Sequence, residues 1–136
     1  MSVKVRHAGS WIFVVLLVGG CGARTESELA RVVSPDAKVS ASLVQIDPGG
    51  GATVASSNYV YLNEVGHGRS NTANFEGYSC GPVSIEWKSN RELEIAYPEG
   101  CRIRKFQNQW WASVDPSSPR MVELVLRRVT ARESET

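Results

Sequence analysis

A histidine close to a serine is the first place in this sequence where catalysis could occur. His67 lies in residues 66–70 (Gly-His-Gly-Arg-Ser), and a hydrolase would need a nucleophile on a rigid turn, a positioned base and an oxyanion hole. The chain has no Gly-x-Ser-x-Gly sequence, and Asp36, Glu64 and Glu76 lack the spacing of a paired acid and base. We therefore predict a solvent-facing loop histidine, no catalytic residues and no enzyme activity.

The glycine-rich residues 47–53 (Asp-Pro-Gly-Gly-Gly-Ala-Thr) are a candidate for phosphate binding. A phosphate-binding loop of this kind opens a helix and carries a lysine. Here no lysine follows, and the next segment has the pattern of a strand. We interpret the loop as a flexible connection between strands, with an exposed recognition loop as the alternative.

Aromatic and basic residues are concentrated in the segment 102–111 and could form a contact surface. Such combinations bind sugars, peptides or other proteins. Because neighbouring residues of a strand face opposite ways, at least one of the two adjacent tryptophans should be buried in the core. Core packing of the aromatic residues is the alternative. The residues predicted to form the surface are Arg102, Arg104, Trp110 and Trp111.

The N-terminal segment is typical of a secretory signal peptide. Lys4 and Arg6 give it a positive start, and the apolar residues 11–18 follow. This apolar run is shorter than the roughly 20 residues that a transmembrane helix needs. We predict that residues 1–20 are a signal peptide that is removed on export.

The end of this segment, residues 17–21 (Leu-Val-Gly-Gly-Cys), resembles the lipobox of bacterial lipoproteins. The resemblance implies a diacylglycerol on the Cys21 sulfur, cleavage before Cys21 and acylation of the new amine. Stable anchoring takes more than one acyl chain, at about 0.8 kcal/mol per buried methylene. Gly22, where an aspartate would favour the inner membrane, favours the outer membrane of a Gram-negative cell. The alternative is an ordinary signal peptide with an incidental cysteine.

Two cysteines remain if Cys21 carries a lipid. An even pair in an exported domain is typical of a disulfide, here between Cys80 and Cys101. A structural zinc site needs about four cysteine or histidine ligands, and after processing His67 is the only histidine left beside these two cysteines. We predict a disulfide, no metal site, and no cofactor other than the lipid on Cys21.

Hydrophobic periodicity predicts an all-β domain. Apolar residues alternate with polar ones over 83–88 and over 92–97, and residues 89–91 between them suit a turn, so these segments form a hairpin. Further strands are expected at 39–43, 59–62, 101–106 and 121–129. The sequence therefore predicts a small antiparallel sandwich or barrel of about six to eight strands. The polar residues 21–28 are expected to be a flexible tether, 29–129 the domain and 130–136 a frayed polar tail.

Three motifs together resemble a family of small exported bacterial lipoproteins of unknown function. They are Ser34-Pro35-Asp36, the loop 50–53 (Gly-Gly-Ala-Thr), and Trp87-x-Ser89 followed by Leu93-x-Ile95-x-Tyr97. Ala37 stands where that family has a glycine. The family has no established activity, so the resemblance implies an exported β domain and nothing of its chemistry. The same cues resemble β-propeller blades, but the mature chain could supply only about two blades, too few for a ring.

The chain has 136 residues and a net charge of +1, so it lacks the basic surface of a nucleic-acid-binding protein.

Our first hypothesis is a membrane-tethered binding or structural module of the cell envelope, with an envelope protein as a possible partner. The alternative is an inhibitor of a cell-wall hydrolase such as lysozyme: residues 78–81 (Tyr-Ser-Cys-Gly) resemble the opening strand of such inhibitors, although their Ser-Gly-Ala-Arg-Tyr loop is missing. An enzyme is the third hypothesis.

Overall fold

A computed structural model describes residues 23–50, 54–112, 117 and 119–133, and this part of the chain contains strands and no helix. The predicted signal peptide and Cys21 lie outside the described residues. The nine strands in the described residues are β1 (Thr25–Val33), β2 (Val39–Asp47), β3 (Ser57–Glu64), β4 (Phe75–Tyr78), β5 (Ser84–Ser89), β6 (Glu92–Pro98), β7 (Arg102–Phe106), β8 (Gln109–Ala112) and β9 (Arg120–Val129).

The strands form two sheets that pack as a sandwich, which confirms the predicted all-β fold. One sheet has the order β1-β2-β3-β4-β7 and the other β5-β6-β9-β8. The sheets are mainly antiparallel, as predicted, and β6 and β9 are the one pair of parallel neighbours among the described strands. Parallel neighbours need a crossover connection, and here the chain makes it by passing through β7 in the other sheet before it returns as β8 and β9.

The core lies between the inner faces of the two sheets. Alternating apolar residues of β5 and β6 face it, as predicted for the hairpin: Leu93 and Ile95 are fully buried, and Trp87 packs against the cluster. The indole Nε1–H of Trp87 also donates a hydrogen bond of 3.1 Å to the Val32 carbonyl of the other sheet. The fully buried core side chains from the other strands include Phe75, Leu62, Val39, Val60, Val122 and Leu124.

β2 is buried on both of its faces, which its sequence does not indicate. Its alternation of apolar residues with serines predicts a solvated polar face, yet Ser42 is only 1% exposed and Val44 is fully buried. The strand lies between β1 and β3, and the long side chains of Arg31 and Tyr61 flank Ser42 on that outer face. A short side chain between two long ones loses its contact with water.

The predicted disulfide between Cys80 and Cys101 is present, and it joins residues 21 positions apart. It lies against Gly77 of β4. A Cβ atom at that position would be 2.4 Å from the Cys80 sulfur and 3.1 Å from the Cys101 sulfur. The disulfide therefore occupies the space that any other residue at position 77 would need.

The boundaries of the domain differ from the prediction at the N-terminal side. Residues 25–28, assigned to the flexible tether, belong to β1 and pair with residues 44–47 of β2. Their polar side chains resemble a linker, but backbone hydrogen bonding to β2 does not depend on apolar side chains. Among the tail residues, 130–133 form a turn in which the Glu133 N–H donates to the Thr130 carbonyl.

The strand registers define two ends of the sandwich. At one end, which we call the disulfide end, Thr25 pairs with Asp47, and Cys80 and Cys101 lie beside the end of β4 and the start of β7. At the other end, the turn end, the β1–β2 and β5–β6 turns come together with the start of β9 and the end of β3. The first strand therefore starts at the disulfide end and leads to the turn end.

Candidate functional site

An ion pair joins the two sheets at the turn end. The Arg120 guanidinium at the start of β9 donates a 2.5 Å hydrogen bond to the Asp36 carboxylate in the β1–β2 turn. Arg120 also donates to the carbonyl of Asn90, whose side-chain Oδ1 accepts a hydrogen bond from the Asp36 N–H at 2.9 Å. The Lys38 carbonyl in turn accepts from the Val65 N–H at 3.0 Å. Turns from distant parts of the chain thus form one hydrogen-bonded frame.

The Asp36 carboxylate is stabilised in its ionised form. The hydrogen bond from Arg120 is the main cause that lowers the pKa of Asp36 from 3.8 to about 2, with further contributions from the Ser34 hydroxyl and the Lys38 N–H. The two side chains of the pair are 27% and 13% exposed for Asp36 and Arg120. A charge-assisted hydrogen bond with this little solvent access holds the turn in a fixed position.

Acid is expected to weaken the turn end, because its ion pair needs an ionised Asp36. Because the pKa of Asp36 is about 2 in the folded protein and about 3.8 when unfolded, its stabilising contribution is complete above pH 3.8 and disappears as the pH falls toward 2. Asp36→Asn should melt below the wild type at pH 6, and the difference should shrink between pH 4 and 2. Thermal melts of both proteins across that range test this; a difference that stays constant down to pH 2 would contradict the assignment.

A cleft of about 620 Å³ opens beside this ion pair. The β1–β2 turn, the end of β3, the β5–β6 turn and the start of β9 supply its walls. A cleft of this size falls within the range of small-molecule binding sites. Its charged and polar lining residues are Asp36, Lys38, Glu64, His67, Asn90, Arg91 and Arg120.

A second, smaller cavity of about 190 Å³ lies next to the cleft. Glu64 and His67 line both cavities, so the two are neighbours, and together we call them the end groove. Asn63 is held there by two hydrogen bonds of 3.0 Å from its side-chain amide, to the carbonyls of Glu64 and His67. Trp110 and Trp111 of β8 line the far side of the smaller cavity.

The two tryptophans have the opposite orientations expected from strand geometry. Trp110 packs against the core, whereas Trp111 is 57% exposed at the end groove. The predicted contact surface is therefore divided by the fold. Arg102 and Arg104 lie on β7, an edge strand of the other sheet, and the Arg104 guanidinium stacks over the Tyr78 ring at 4.2 Å, so the structure does not bring them together with the tryptophans.

Several residues of the end groove have no signal in the sequence that indicates a functional role. His67 is exposed in a loop, as predicted, but it stands at the junction of the two cavities. Asp36 and Arg120 are 84 residues apart, and no sequence motif connects them. The glycine-rich candidate loop is not part of this site: Asp47 accepts a hydrogen bond from the Gly49 N–H at the disulfide end, and residues 51–53 lie outside the described part.

The end groove offers hydrogen-bonding groups, charges and one aromatic surface. In the described residues, no group of three or more histidine, cysteine, aspartate or glutamate side chains is placed to hold a metal ion. Nor does that part of the chain contain a helix with the length and apolar character needed to span a bilayer. The polar and charged lining of the groove and its exposed indole suit non-covalent contacts with a polar ligand.

Comparisons with known proteins return no relative for this chain. No protein-family model matches it, and neither a curated protein nor a solved structure is significantly similar.

Proposed function

We propose that this chain is a lipid-anchored protein of the cell envelope that acts as a binding module. The observation that carries the proposal is the position of the first strand: β1 begins at the disulfide end, and the end groove lies at the opposite end of the sandwich. A lipid on Cys21 would thus hold the domain by the end that is away from the groove.

The distance along the chain supports this orientation. Thr25 is the fourth residue after Cys21, so even an extended chain separates them by only about 14 Å. The nine residues of β1 then span about 30 Å to the turn end. The tether is shorter than residues 21–28, because residues 25–28 belong to the sheet. A short tether keeps the disulfide end next to the membrane and directs the groove away from it.

Two further features support an exported protein. Disulfides persist mainly in oxidising compartments such as the periplasm and the cell exterior, and Cys80 and Cys101 form one. Ala37 has φ 60°, a left-handed conformation that favours glycine. The lipoprotein family that the sequence resembles has glycine at this position, so the turn geometry supports the resemblance. We propose membership of that family, which brings no activity with it.

Cys21→Ser is expected to release the protein from membranes. Without the thiol there is no site for the diacylglycerol, and the precursor should remain unprocessed or without lipid. Fractionation of cells with and without radiolabelled palmitate measures both effects, and separation of inner from outer membranes tests the predicted outer-membrane location. The double variant Cys80→Ser/Cys101→Ser is the matched control, because it replaces the two disulfide cysteines and leaves Cys21.

Normal palmitate labelling of Cys21→Ser would overturn the anchor. The same preparations separate the binding module from the alternative function. If the purified mature protein inhibits lysozyme at near-stoichiometric concentration, a hydrolase inhibitor replaces the binding module as the preferred function.

A further inference from the structure

We propose that the end groove binds an acidic saccharide, a chain of sugar rings that carries carboxylate groups. The exposed Trp111 ring would receive the apolar face of one sugar, and Lys38 and Arg91 would receive the carboxylate. Such a saccharide would be the ligand of the binding module proposed above. The proposal rests on that function only for placing the ligand in the cell envelope, since the groove itself does not depend on the lipid.

The surroundings of Trp111 favour a sugar as the ligand. An indole is large and apolar, yet this one is 57% exposed on an edge strand, next to a polar cavity lined by Asn63, His67 and Ser70. A sugar ring has one face of C–H groups and a rim of hydroxyls. It can therefore cover an aromatic ring while its hydroxyls bond to neighbouring amide, imidazole and hydroxyl groups. A purely apolar ligand would exclude water from these polar groups and offer no hydrogen bonds in its place.

The cations of the cleft favour a negatively charged ligand. Among its described lining residues, the three cations Lys38, Arg91 and Arg120 outnumber the two carboxylates. Arg120 is already paired with Asp36, whereas neither Lys38 nor Arg91 forms an ion pair with any described residue. These two side chains are thus available to a carboxylate of the ligand.

The frame of the groove favours binding without a large conformational cost. Lys38 follows the turn that Arg120 and Asn90 hold, and the Arg91 carbonyl accepts a hydrogen bond from the Glu123 N–H at 2.8 Å. The backbones that carry both cations are therefore fixed before a ligand arrives. Pre-organised groups lose less conformational entropy on binding, so a modest number of contacts suffices.

A pair of probes of matched length separates shape from charge. The first is an oligosaccharide of alternating N-acetylglucosamine and N-acetylmuramic acid, which carries lactyl carboxylates. The second is the N-acetylglucosamine oligomer of equal length, which is neutral. We expect the acidic oligomer to bind the mature protein in mild detergent about tenfold more tightly than the neutral one, with an advantage that falls as salt increases. Calorimetry and tryptophan fluorescence provide independent measurements.

Three single variants assign the contacts. Trp111→Ala should weaken both oligomers about tenfold, because it removes the stacking surface. Lys38→Ala and Arg91→Ala should weaken only the acidic oligomer. Arg102→Ala, which removes an exposed cation at the disulfide end, is the matched control and should change neither affinity. All four positions are exposed, so the variants should retain the wild-type melting temperature.

The proposal fails if neither oligomer binds, if both bind equally well, or if Trp111→Ala has no effect. It also fails if an acidic peptide of equal charge competes more strongly than the acidic oligosaccharide, since the partner would then be a protein. Repeating the titration with the Cys21→Ser protein separates this result from the anchor: binding without lipid labelling supports the groove whatever the outcome for Cys21.

Discussion

Replacement of Gly77 by alanine is expected to displace the disulfide and to lower the free energy of unfolding by about 4 kcal/mol. The new methyl group would stand 2.4 Å from the Cys80 sulfur and 3.0 Å from the Phe75 ring, inside van der Waals contact with both. Overpacking of a core costs about 1–3 kcal/mol, and losing a disulfide that closes a loop of this length costs about 3 kcal/mol. The two effects act at one site.

The measurement combines thiol labelling with chemical denaturation. Gly77→Ala should show labelled Cys80 and Cys101 in a fraction of molecules and a lower denaturation midpoint. Gly68→Ala is the matched control, because a Cβ at Gly68 meets nothing within 4 Å and the backbone there is not left-handed. A fully oxidised Gly77→Ala protein with the midpoint of Gly68→Ala would show that β4 can move away from the disulfide at little cost.

Phe75→Ala is expected to lower the free energy of unfolding by about 3–5 kcal/mol. Phe75 is the largest of the fully buried side chains, and it lies on β4, which pairs with β3 on one side and β7 on the other. Its removal leaves a cavity between the sheets that the surrounding strands cannot fill. Since small domains have about 5–15 kcal/mol of stability in total, the variant should be partly unfolded near physiological temperature.

Denaturant titration followed by circular dichroism measures this loss. Phe75→Leu, which keeps most of the apolar volume, is expected to cost less than about 1.5 kcal/mol and serves as the conservative comparison. If Phe75→Ala loses no more than Phe75→Leu, the inner face of β4 contributes less to the core than its burial indicates.

Both variants, Gly77→Ala and Phe75→Ala, change the same short strand, β4. β4 has four residues, yet it connects β3 to β7 and carries both the buried Phe75 and the glycine that accommodates the disulfide. The disulfide end therefore depends on close packing. The turn end depends on the Asp36–Arg120 ion pair and its hydrogen bonds, and protonation of Asp36 in acid weakens that pair.

Several elements could be predicted because their signal is local. The two-residue period of 83–88 and 92–97 determines which side chains of that hairpin face the core, and the structure confirms Ile85, Leu93 and Ile95 there. The opposite orientations of Trp110 and Trp111 follow from the same period. The cysteine pair could be predicted from the number of cysteines, because a disulfide needs only two partners and an oxidising environment.

Other elements have no local signal. β1 starts with Thr-Glu-Ser-Glu, a polar run that resembles a linker, and it is a strand because β2 offers it a hydrogen-bonding edge. β4 is too short, at four residues, for its alternation to stand out. The parallel pairing of β6 with β9 depends on where the chain returns after β8, which no single segment specifies.

The all-β class, the faces of the central hairpin and the cysteine pair could be read from the amino-acid sequence, because side-chain alternation is a local property and cysteines can be counted without a fold. The end groove exists only in the folded chain. The tertiary structure joined Asp36 to Arg120 across 84 residues, placed His67 between two cavities, and put Arg102 and Trp111 on edge strands of different sheets. Such a groove is formed by contacts between strands, and those contacts depend on strand order and register rather than on local pattern.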